Sequence, residues 1–460
     1  MRIVTLRSAT LVAFESTLIL SAVALAAWLR LGEEAWRVLA GGGGALKMGV
    51  VALVAQGCLY YADLYNLRIA ADRRELVVRI LQALGAASII LALVYYWFPA
   101  LVIGRGVFML TAIFVSTIVV GWRVAFEWLS GQMGPRERLL IVGTNDAALT
   151  LARELFDRRH DLGVEIVGFV DPDPARVGAP VLNPGVIGTV EDIPSIVRAR
   201  NVDRVVVSLA DARGKLPMEK LLEMRLDGVA FDHLASVYEE YTGKIAVENL
   251  RPSWFIFAAG FRKSRVLDAA KRATDLGLAT LGLVAGLPAM ALVALAVKLT
   301  SPGPVLYHQN RVGLDGRIFS VHKFRSMRID AEALTGPVWA KAEGDPRTTP
   351  VGLWLRRSRL DELPQLWNVL KGDMSVVGPR PERPEFVASL KDQIPYYGQR
   401  HVVRPGITGW AQIRYTYGAS VEDALQKLQY DLFYIKNLSI PLDLYIIFET
   451  VKTVVLRRGA

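Results

Sequence analysis

The sequence is poor in the residues that build disulfide scaffolds and zinc sites. Its 460 residues include a single cysteine, Cys58, and five histidines that show no zinc-ligand spacing. One cysteine excludes an internal disulfide, which suits a chain that faces the cytosol. Charged residues are also scarce, at 21% against about a quarter in soluble domains. Because 52% of the residues are hydrophobic, this balance predicts that part of the chain lies in a membrane.

The basic excess limits the partners that we expect. The net charge of +10 at pH 7 fits acidic lipid headgroups or phosphate-bearing substrates. No nucleic-acid partner is expected, since the sequence has no basic module interleaved with aromatic residues.

Four apolar runs predict an α-helical four-span bundle in residues 1–130. They are roughly Leu11–Leu29, Met48–Tyr61, Ile80–Leu101 and Val107–Trp128, most of them near the ~20 residues needed to cross a bilayer. Lys and Arg are sparsest between the third and fourth runs, which predicts that both ends of the bundle are cytoplasmic. Glu15 lies inside the first run, and we interpret it as a bundle-facing group near the interface. A functional intramembrane carboxylate is the alternative.

Residues 131–262 alternate between strand and helix patterns. Strands are indicated at Arg138–Val142, Val164–Val170 and Arg204–Leu209, and a helix at Ala147–Phe156. Strands separated by helices predict a parallel sheet in a Rossmann-like α/β domain on the cytoplasmic side. This segment resembles the CoA-binding-type Rossmann domain that lies between membrane and catalytic parts in some sugar transferases.

The dinucleotide-binding fingerprint expected in this predicted domain is incomplete in the sequence. Only Gly143 of its three glycines is present, and Asp146 places a negative charge where a phosphate would bind. Asp171 is a candidate for contacting a ribose. A structural or regulatory domain is favoured, with ligand binding as the alternative.

A fifth apolar stretch, Thr274–Val297, is long enough to span a membrane. Pro288 near its middle removes a hydrogen bond and predicts a kink. Both flanks are basic, so the positive-inside rule favours the same side for each end. We therefore predict a re-entrant membrane helix at about residues 270–298, with an ordinary crossing as the alternative.

Residues 263–460 are expected to form a mainly α-helical catalytic domain around a pair of carboxylates. Asp361 and Glu362 are adjacent, so their side chains point apart and can take different roles. One carboxylate can attack phosphorus while the other binds Mg²⁺. Arginines on both sides can bind phosphate oxygens, and Arg380 lies in a rigid Gly-Pro-Arg-Pro turn. Taken alone, an Asp-Glu pair in a charged helix is more often a solvated surface, and the arginine clusters and the adjacent apolar stretch favour a site here.

Several motifs in this region resemble the bacterial sugar transferase family of polyprenyl-phosphate hexose-1-phosphate transferases. They are the proline-containing helix, Lys323-Phe324-Arg325, the run from Leu360 to Leu370, Val377-Gly378-Pro379-Arg380-Pro381, and Arg404 to Gln412. The four apolar runs and the α/β domain resemble the long form of this family. The segment Arg380–Phe386 resembles its exopolysaccharide branch. The resemblance implies transfer of a hexose-1-phosphate from a UDP-sugar to undecaprenyl phosphate, with release of UMP.

The same resemblance implies roles for individual residues. Asp361 matches the nucleophile, Glu362 the Mg²⁺ ligand, and Pro288 the break in the re-entrant helix. The basic residues expected at the phosphates are Lys323, Arg357 and Arg380, with Arg311, Arg325 and Arg404 of the neighbouring motifs as further candidates. Two departures are present: Leu287 precedes Pro288 where many relatives have serine, and Arg359 lies where relatives often have serine.

The resemblance also sets expectations for location and partners. We expect a multi-pass protein of the bacterial inner membrane, with its catalytic domain on the cytoplasmic face, contacting membrane lipids and forming a homodimer. The two C-terminal helices, which include Leu442–Leu456, lie either in the headgroup plane or against the catalytic domain. Two other classes stay open: a membrane-bound NAD-dependent nucleotide-sugar dehydratase and a non-catalytic polysaccharide-assembly scaffold. The identity of the hexose is not predicted.

Overall fold

The computed structural model describes most of the chain, with several gaps. The described residues are 6–41, 43–62, 64, 73–133, 137–157, 164–208, 218–247, 261, 264–331, 333, 336, 345–415, 418 and 420–455. Contacts divide the chain into two compact units, Met1–Tyr241 and Thr242–Ala460. The boundaries predicted after residues 130 and 262 stay predictions.

The N-terminal unit begins with five helices. They are α1 (Leu6–Leu31), α2 (Glu34–Ala40), α3 (Gly44–Tyr61), α4 (Arg73–Trp97) and α5 (Arg105–Met133). Four of them, all except the short α2, are long and apolar enough to cross a membrane. Each of the four apolar runs overlaps one of these long helices. The four-span topology itself stays a prediction.

A buried ion pair joins the first and last of these long helices. The side chain of Glu15 in α1 is fully buried, and the Arg123 guanidinium in α5 donates to both of its carboxylate oxygens. The same guanidinium also donates to the carbonyl of Leu64. Pairing removes much of the cost of a buried charge, and it gives Glu15 a structural role inside the bundle.

The α/β part of the N-terminal unit has the predicted parallel sheet. Its strands are β1 (Glu137–Val142), β2 (Val164–Asp171), β3 (Val186–Thr189), β4 (Arg204–Val207) and β5 (Ala230–His233). They are ordered β3-β2-β1-β4-β5, and each neighbouring pair is parallel. The helices are α6 (Asp146–Asp157), α7 (Ile193–Arg200), α8 (Met218–Leu226) and α9 (Leu234–Thr242). The strand interiors are apolar and buried, as expected for a sheet with helices on its faces.

The polar groups at the carboxyl edge of this sheet bond to one another. The Thr144 hydroxyl donates to Asp171 Oδ2 over 2.5 Å, and Arg176 Nη1 donates to Thr144 Oγ1 over 2.6 Å. Asn145 accepts from the Ser208 hydroxyl and caps the first turn of α6. We name this group, Thr144, Asn145, Asp171, Arg176 and Ser208, the sheet-edge cluster.

The C-terminal unit combines helices with two small sheets. Its helices are α10 (Arg265–Thr300), α11 (Pro350–Ser358), α12 (Gln365–Lys371), α13 (Pro384–Gln393), α14 (Trp410–Arg414), α15 (Val421–Lys436) and α16 (Ile440–Val455). Strands β6 (Leu306–Val312) and β7 (Ile318–Phe324) form an antiparallel hairpin, and β8 (Ser375–Val377) pairs in parallel with β9 (Gly406–Thr408). This region is mainly helical as predicted, but the sequence analysis did not predict either of the two sheets.

Helix α10 contains the fifth apolar stretch and is the fifth described helix of membrane length. It runs through Pro288 as one helix of 36 residues. Ala279, before the proline, lies in a core cluster with Val321 of β7, while Val297, after it, lies in a second cluster with Phe324 of the same strand. Both halves of the helix are therefore tied to one strand of the same compact unit.

Candidate active site

The two candidate carboxylates lie in a tight turn between two helices. Thr349 caps α11 by accepting a 2.9 Å hydrogen bond from the amide of Gly352. The helix ends at Arg359, whose φ of 57° places a non-glycine residue in the left-handed region. A 3₁₀ turn, Leu360–Glu362, then leads into α12. We name residues 359–362 the carboxylate turn.

Glu362 is surrounded by positive charge. Its Oε1 is 2.5 Å from Arg380 Nη2 and 3.4 Å from Lys323 Nζ, and its Oε2 is 3.6 Å from Arg359 Nη1. Burial disfavours ionisation of Glu362, but these three cations outweigh it and hold the pKa of its carboxyl well below the usual range. Glu362 is therefore an anion whenever phosphate chemistry takes place.

Asp361 is in a different state although it is the next residue. Its side chain is buried, yet its carboxylate makes no hydrogen bond or ion pair with the described part of the chain. Burial and the charge of Glu362 raise the pKa of Asp361 to about 6, against the opposing effect of Lys323, Arg380 and Arg356. At neutral pH the group is thus mostly ionised, with its oxygen lone pairs available to attack phosphorus.

The structure separates the predicted basic residues into two groups. Lys323, near the end of β7, and Arg380, in the loop after β8, reach Glu362 in the carboxylate turn, and their role at the phosphates stays a prediction. Arg357 is exposed in the last turn of α11, and it is the charge of the preceding residue, Arg356, that acts on Asp361. The phosphate-binding role of Arg357 stays a prediction, and Arg356 joins it as a candidate.

Three further predicted arginines make contacts away from the carboxylate turn. Arg325 is buried and donates to the carbonyls of Ser301 and Pro302, at the end of α10. Arg404 donates to the carbonyl of Gly372, just after α12. These contacts hold backbone segments together. A role in binding phosphate stays a prediction for both residues.

Arg311 occupies an intermediate position. Its guanidinium donates to the carbonyl of Pro381 over 3.0 Å and lies 3.5 Å from Glu382 Oε2. Burial lowers the pKa of Arg311, and the positive charges of Arg380 and Arg383 lower it further. Arg311 therefore belongs to the same cluster of cations as Arg380, although its described contacts are with Gln309, Pro381 and Glu382 rather than with Asp361 or Glu362.

The loop that carries Arg380 is fixed by close backbone packing. Residues 377–380, which we name the Arg380 loop, follow β8 directly. A side chain at Gly378 would collide with the carbonyl of Arg404, so glycine is required by space. Behind the loop, Arg400 donates to the carbonyl of Arg380 over 3.0 Å and pairs with Asp431 at 2.7 Å. Both side chains of that pair are buried.

Sequence reasoning missed several of these residues for identifiable reasons. Arg359 was noted only as a departure from a family pattern, and nothing in the pattern indicates that it contacts Glu362. Gln365 is buried, and its amide nitrogen has no hydrogen-bond partner within the described part of the chain. Its position four residues after Asp361 was the available signal. Arg400 carries no motif and is recognised only through its bond to the carbonyl of Arg380.

Binding of one Mg²⁺ ion, of the kind that diphosphate substrates bring, stays a prediction for the carboxylate turn. Mg²⁺ typically takes one or two protein carboxylates, with phosphate oxygens and waters completing the octahedron. Within the described residues, no group of three or more His, Cys, Asp or Glu side chains could hold a metal. Glu362 Oε1 contacts both Arg380 and Lys323. Among the described residues, Oε2 has only the longer contact with Arg359. That oxygen is the one suited to a metal that also binds phosphate.

Comparison with known proteins agrees with this architecture. Residues 266–457 match the family described as bacterial sugar transferase, and residues 61–219 match the family described as CoA-binding domain. The UDP-glucose:undecaprenyl-phosphate glucose-1-phosphate transferase of Escherichia coli (strain K12) is 36% identical over 341 residues, covering 72% of this chain and 70% of that protein.

Two further relatives match in different proportions. The UDP-N-acetylgalactosamine-undecaprenyl-phosphate N-acetylgalactosaminephosphotransferase of Aeromonas hydrophila is 40% identical over 259 residues, 56% of this chain and 60% of that protein. The chain thus spans less than two thirds of the Aeromonas relative. The exopolysaccharide production protein PSS of Rhizobium leguminosarum bv. phaseoli is 45% identical over 186 residues, 39% of this chain and 92% of that protein.

The fold and the site define a protein with membrane-length helices whose C-terminal unit gathers carboxylates and cations suited to phosphate chemistry. The matches then give its family. The chain belongs to the bacterial sugar transferase family, in a form that carries a CoA-binding domain ahead of the transferase domain.

Proposed function

We propose that the protein transfers a hexose-1-phosphate from a UDP-sugar to undecaprenyl phosphate. The observation that carries this proposal is that two adjacent carboxylates have different surroundings. Glu362 is compensated by three cations, while Asp361 is buried and has no bonding partner among the described residues. Relatives named as undecaprenyl-phosphate sugar phosphotransferases support the same reaction.

The first step forms a covalent intermediate on Asp361. One carboxylate oxygen attacks the sugar-bearing phosphorus of the UDP-sugar, and the bond from that phosphorus to the bridging oxygen breaks. UMP leaves with the electron pair, and an aspartyl phosphosugar remains. Lys323 and Arg380 lie where they can neutralise charge on the transferring phosphoryl oxygens.

The second step regenerates the carboxylate. A phosphate oxygen of undecaprenyl phosphate attacks the same phosphorus, and the bond to Asp361 breaks. The product is an undecaprenyl diphosphate sugar, which initiates an exopolysaccharide or O-antigen repeat unit. Because the two substrates react in turn with one group, the scheme predicts ping-pong kinetics.

We assign the metal role to Glu362. A Mg²⁺ ion bound there would supply Lewis acidity to the diphosphate oxygens. Glu362 would hold it through Oε2, because Oε1 contacts Arg380 and Lys323, which keep the carboxylate ionised. UMP release is expected to stop when EDTA is added and to return with excess Mg²⁺. Full activity in chelator would remove the metal from the scheme.

The packing of α10 supports a re-entrant membrane helix with its bend at Pro288. Residues 279 and 297 are 18 residues apart, about 27 Å along a straight helix. Val321 and Phe324, which belong to the same two core clusters, are three residues apart, about 10 Å in β7. A helix that bends back toward the same face would bring both of its halves into these clusters. A reporter fused after Lys298 is expected on the same side as one fused before Arg265, whereas opposite sides would indicate an ordinary crossing.

The remaining features follow from this geometry as proposals. Both phosphates that react lie on the cytoplasmic face of the inner membrane, so the catalytic unit is placed there. The homodimer stays a prediction, which the mass of the purified protein in nanodiscs tests.

The decisive experiment measures UMP release across a panel of UDP-sugars with a polyprenyl phosphate acceptor. Glucose, galactose and N-acetylhexosamine donors are compared, since the hexose is not assigned. We expect UMP from at least one donor and a sugar phosphate covalently trapped on Asp361 when acceptor is omitted. Release of UMP without any trapped intermediate would reject the two-step scheme, and no release with any donor would reject the function.

A further inference from the structure

Helix α10 carries charged side chains where a purely membrane-embedded helix would have apolar ones. Lys271 and Asp275 are 8% and 3% exposed, and they lie four residues apart on one face of the helix. Ala279, four residues further, continues the same buried face. Charges are buried at this depth only when they are paired, so their partners indicate their purpose.

The partners of Asp275 lie at the start of strand β8. Asp275 Oδ1 accepts two hydrogen bonds of 2.9 Å, from the Ser375 hydroxyl and from the Val376 amide. Ser375 itself is fully buried. Val376 is only four residues before Arg380, so Asp275 fixes the backbone from which the Arg380 loop departs.

The partners of Lys271 lie at the end of the same strand. Lys271 Nζ donates to the carbonyl of Val377 over 3.0 Å and pairs with Asp443 of α16 at 2.6 Å. The hydroxyl of Tyr434 in α15 lies 3.1 Å from the same carbonyl and 2.7 Å from Asp443 Oδ1, and its single proton favours the shorter contact with the carboxylate. The first residue of the Arg380 loop is therefore bound by Lys271, a donor from α10.

The residue next to Lys271 binds the other active-site element. Arg272 donates to the carbonyls of Val369 and Leu370, over 2.6 and 2.8 Å, in the last turn of α12. Helix α12 follows the carboxylate turn directly, and a cation at its C-terminus also favours its dipole. One turn of α10 thus contacts both segments that meet at Glu362.

We propose that Lys271, Arg272 and Asp275 are positioning residues that set the spacing between the carboxylate turn and the Arg380 loop. This proposal rests on the function proposed above for Asp361 and Arg380. Helix α10 then does more than anchor the catalytic unit, because its polar end aligns Arg380 with Asp361. Displacement of a reacting group by about 1 Å can lower a rate by about 100-fold, which makes such alignment consequential.

The test uses the full chain in nanodiscs and variants at one position with a matched control. Asp275→Ala removes both hydrogen bonds, Asp275→Asn keeps an acceptor oxygen, and Asp268→Ala removes an exposed carboxylate from the same helix. We expect Asp275→Ala to lower kcat for UMP release by about 10- to 100-fold with little change in KM. Asp275→Asn is expected to recover most of the activity, and Asp268→Ala to match the wild type.

A double-mutant cycle separates positioning from general damage. If Asp275 acts through Arg380, the Asp275→Ala/Arg380→Ala protein should be no slower than Arg380→Ala alone. Fully multiplicative losses would overturn the proposal, as would an Asp275→Ala protein as active as Asp268→Ala.

Amide hydrogen exchange provides a readout that does not depend on turnover. Exchange at the Val376 amide is expected to increase at least tenfold in Asp275→Ala, while exchange in α15 stays unchanged. Unchanged exchange at Val376 would overturn the proposal even if the enzyme is active. If the wild type releases no UMP from any donor, the proposed function fails, whereas the exchange result still decides whether Asp275 holds the loop.

Discussion

The sheet-edge cluster of the α/β domain and the carboxylate turn of the C-terminal unit both combine an aspartate with arginine, but their polar groups are used differently. In the sheet-edge cluster, Asp171 accepts from Thr144, and Thr144 accepts from Arg176. In the carboxylate turn, Asp361 makes no bond with the described residues, and three cations converge on Glu362. The polar groups of the sheet-edge cluster thus bond to one another. The carboxylate turn keeps one carboxylate available for a ligand.

The largest expected effect is loss of the nucleophile. Asp361→Asn keeps the shape of the side chain but removes the charged oxygen, so UMP release should fall at least about a thousandfold and no sugar phosphate should be trapped. Asp171→Asn in the sheet-edge cluster should change the rate by less than about twofold. Equal losses of activity in the two variants would show that both aspartates serve the reaction.

The second prediction compares one arginine from each region. Arg380→Ala should lower kcat by about 100-fold, since a preorganised donor to the transferring phosphoryl group typically contributes that much. Arg176→Ala removes an exposed guanidinium and should leave kcat unchanged. Rates measured at saturating UDP-sugar test both variants. A normal kcat for Arg380→Ala would mean that its bond to Glu362 is only structural.

The sequence indicated the regular parts of the molecule better than it indicated the site. Strands β1 and β2 and helix α6 lie within a residue of their predicted bounds, because buried parallel strands are continuous apolar runs. The hairpin β6–β7 was missed because its strands carry many polar residues and are partly exposed. A periodicity argument depends on one apolar face, and a small two-stranded sheet at a domain surface does not provide it.

The residues of the site were predicted by motif and not by geometry. The family motif selects Arg357, whose role at the phosphates stays a prediction, and it does not select the preceding Arg356. In the structure Arg357 is exposed while the charge of Arg356 acts on Asp361, because successive helical residues point about 100° apart. The sequence showed Lys271 only as part of a basic flank and Asp275 only as part of an apolar stretch. Their pairing could not be predicted, because their partners in β8 lie about 100 residues away in the chain.

A pH prediction concerns the buried pair behind the Arg380 loop. Burial raises the pKa of Asp431 from 3.8 to about 6, although Arg400 opposes the shift. An acid with a raised pKa binds its proton more tightly when folded, so this contribution to stability is full at low pH and is lost as pH rises from about 4 to 6. The free energy of unfolding of Asp431→Asn, relative to that of the wild type, should therefore increase by up to about 3 kcal/mol as pH rises through that window.

The measurement for this prediction is the difference in Tm between the wild type and Asp431→Asn at several pH values. Taking the difference removes the titration of the other groups, which both proteins share. A difference that is constant between pH 4 and pH 7 would show that Asp431 keeps an ordinary pKa in the folded protein.

Arg359 should give opposite effects on stability and rate. Its left-handed backbone costs about 1 kcal/mol for a non-glycine residue, and Arg359→Gly should recover that amount as a higher Tm. The same substitution removes a guanidinium 3.6 Å from Glu362, so kcat/KM should fall several-fold. Arg359→Ala is the matched control, since it loses the charge but keeps the backbone cost. Equal Tm values for the glycine and alanine variants would show that the turn is not strained.

The smallest expected effect is on thermal stability, and it compares a polar group without a described partner with one that has two. Gln365, at the start of α12, has a buried amide nitrogen without a partner among the described residues, which typically costs about 1–3 kcal/mol. Gln365→Met should therefore raise Tm, because it removes that donor at similar volume. Thr144→Val in the sheet-edge cluster should lower Tm instead, since its hydroxyl bonds to both Asp171 and Arg176. Thermal unfolding without substrate measures both, and a lower Tm for Gln365→Met would mean that the amide already has a bonding partner, such as water.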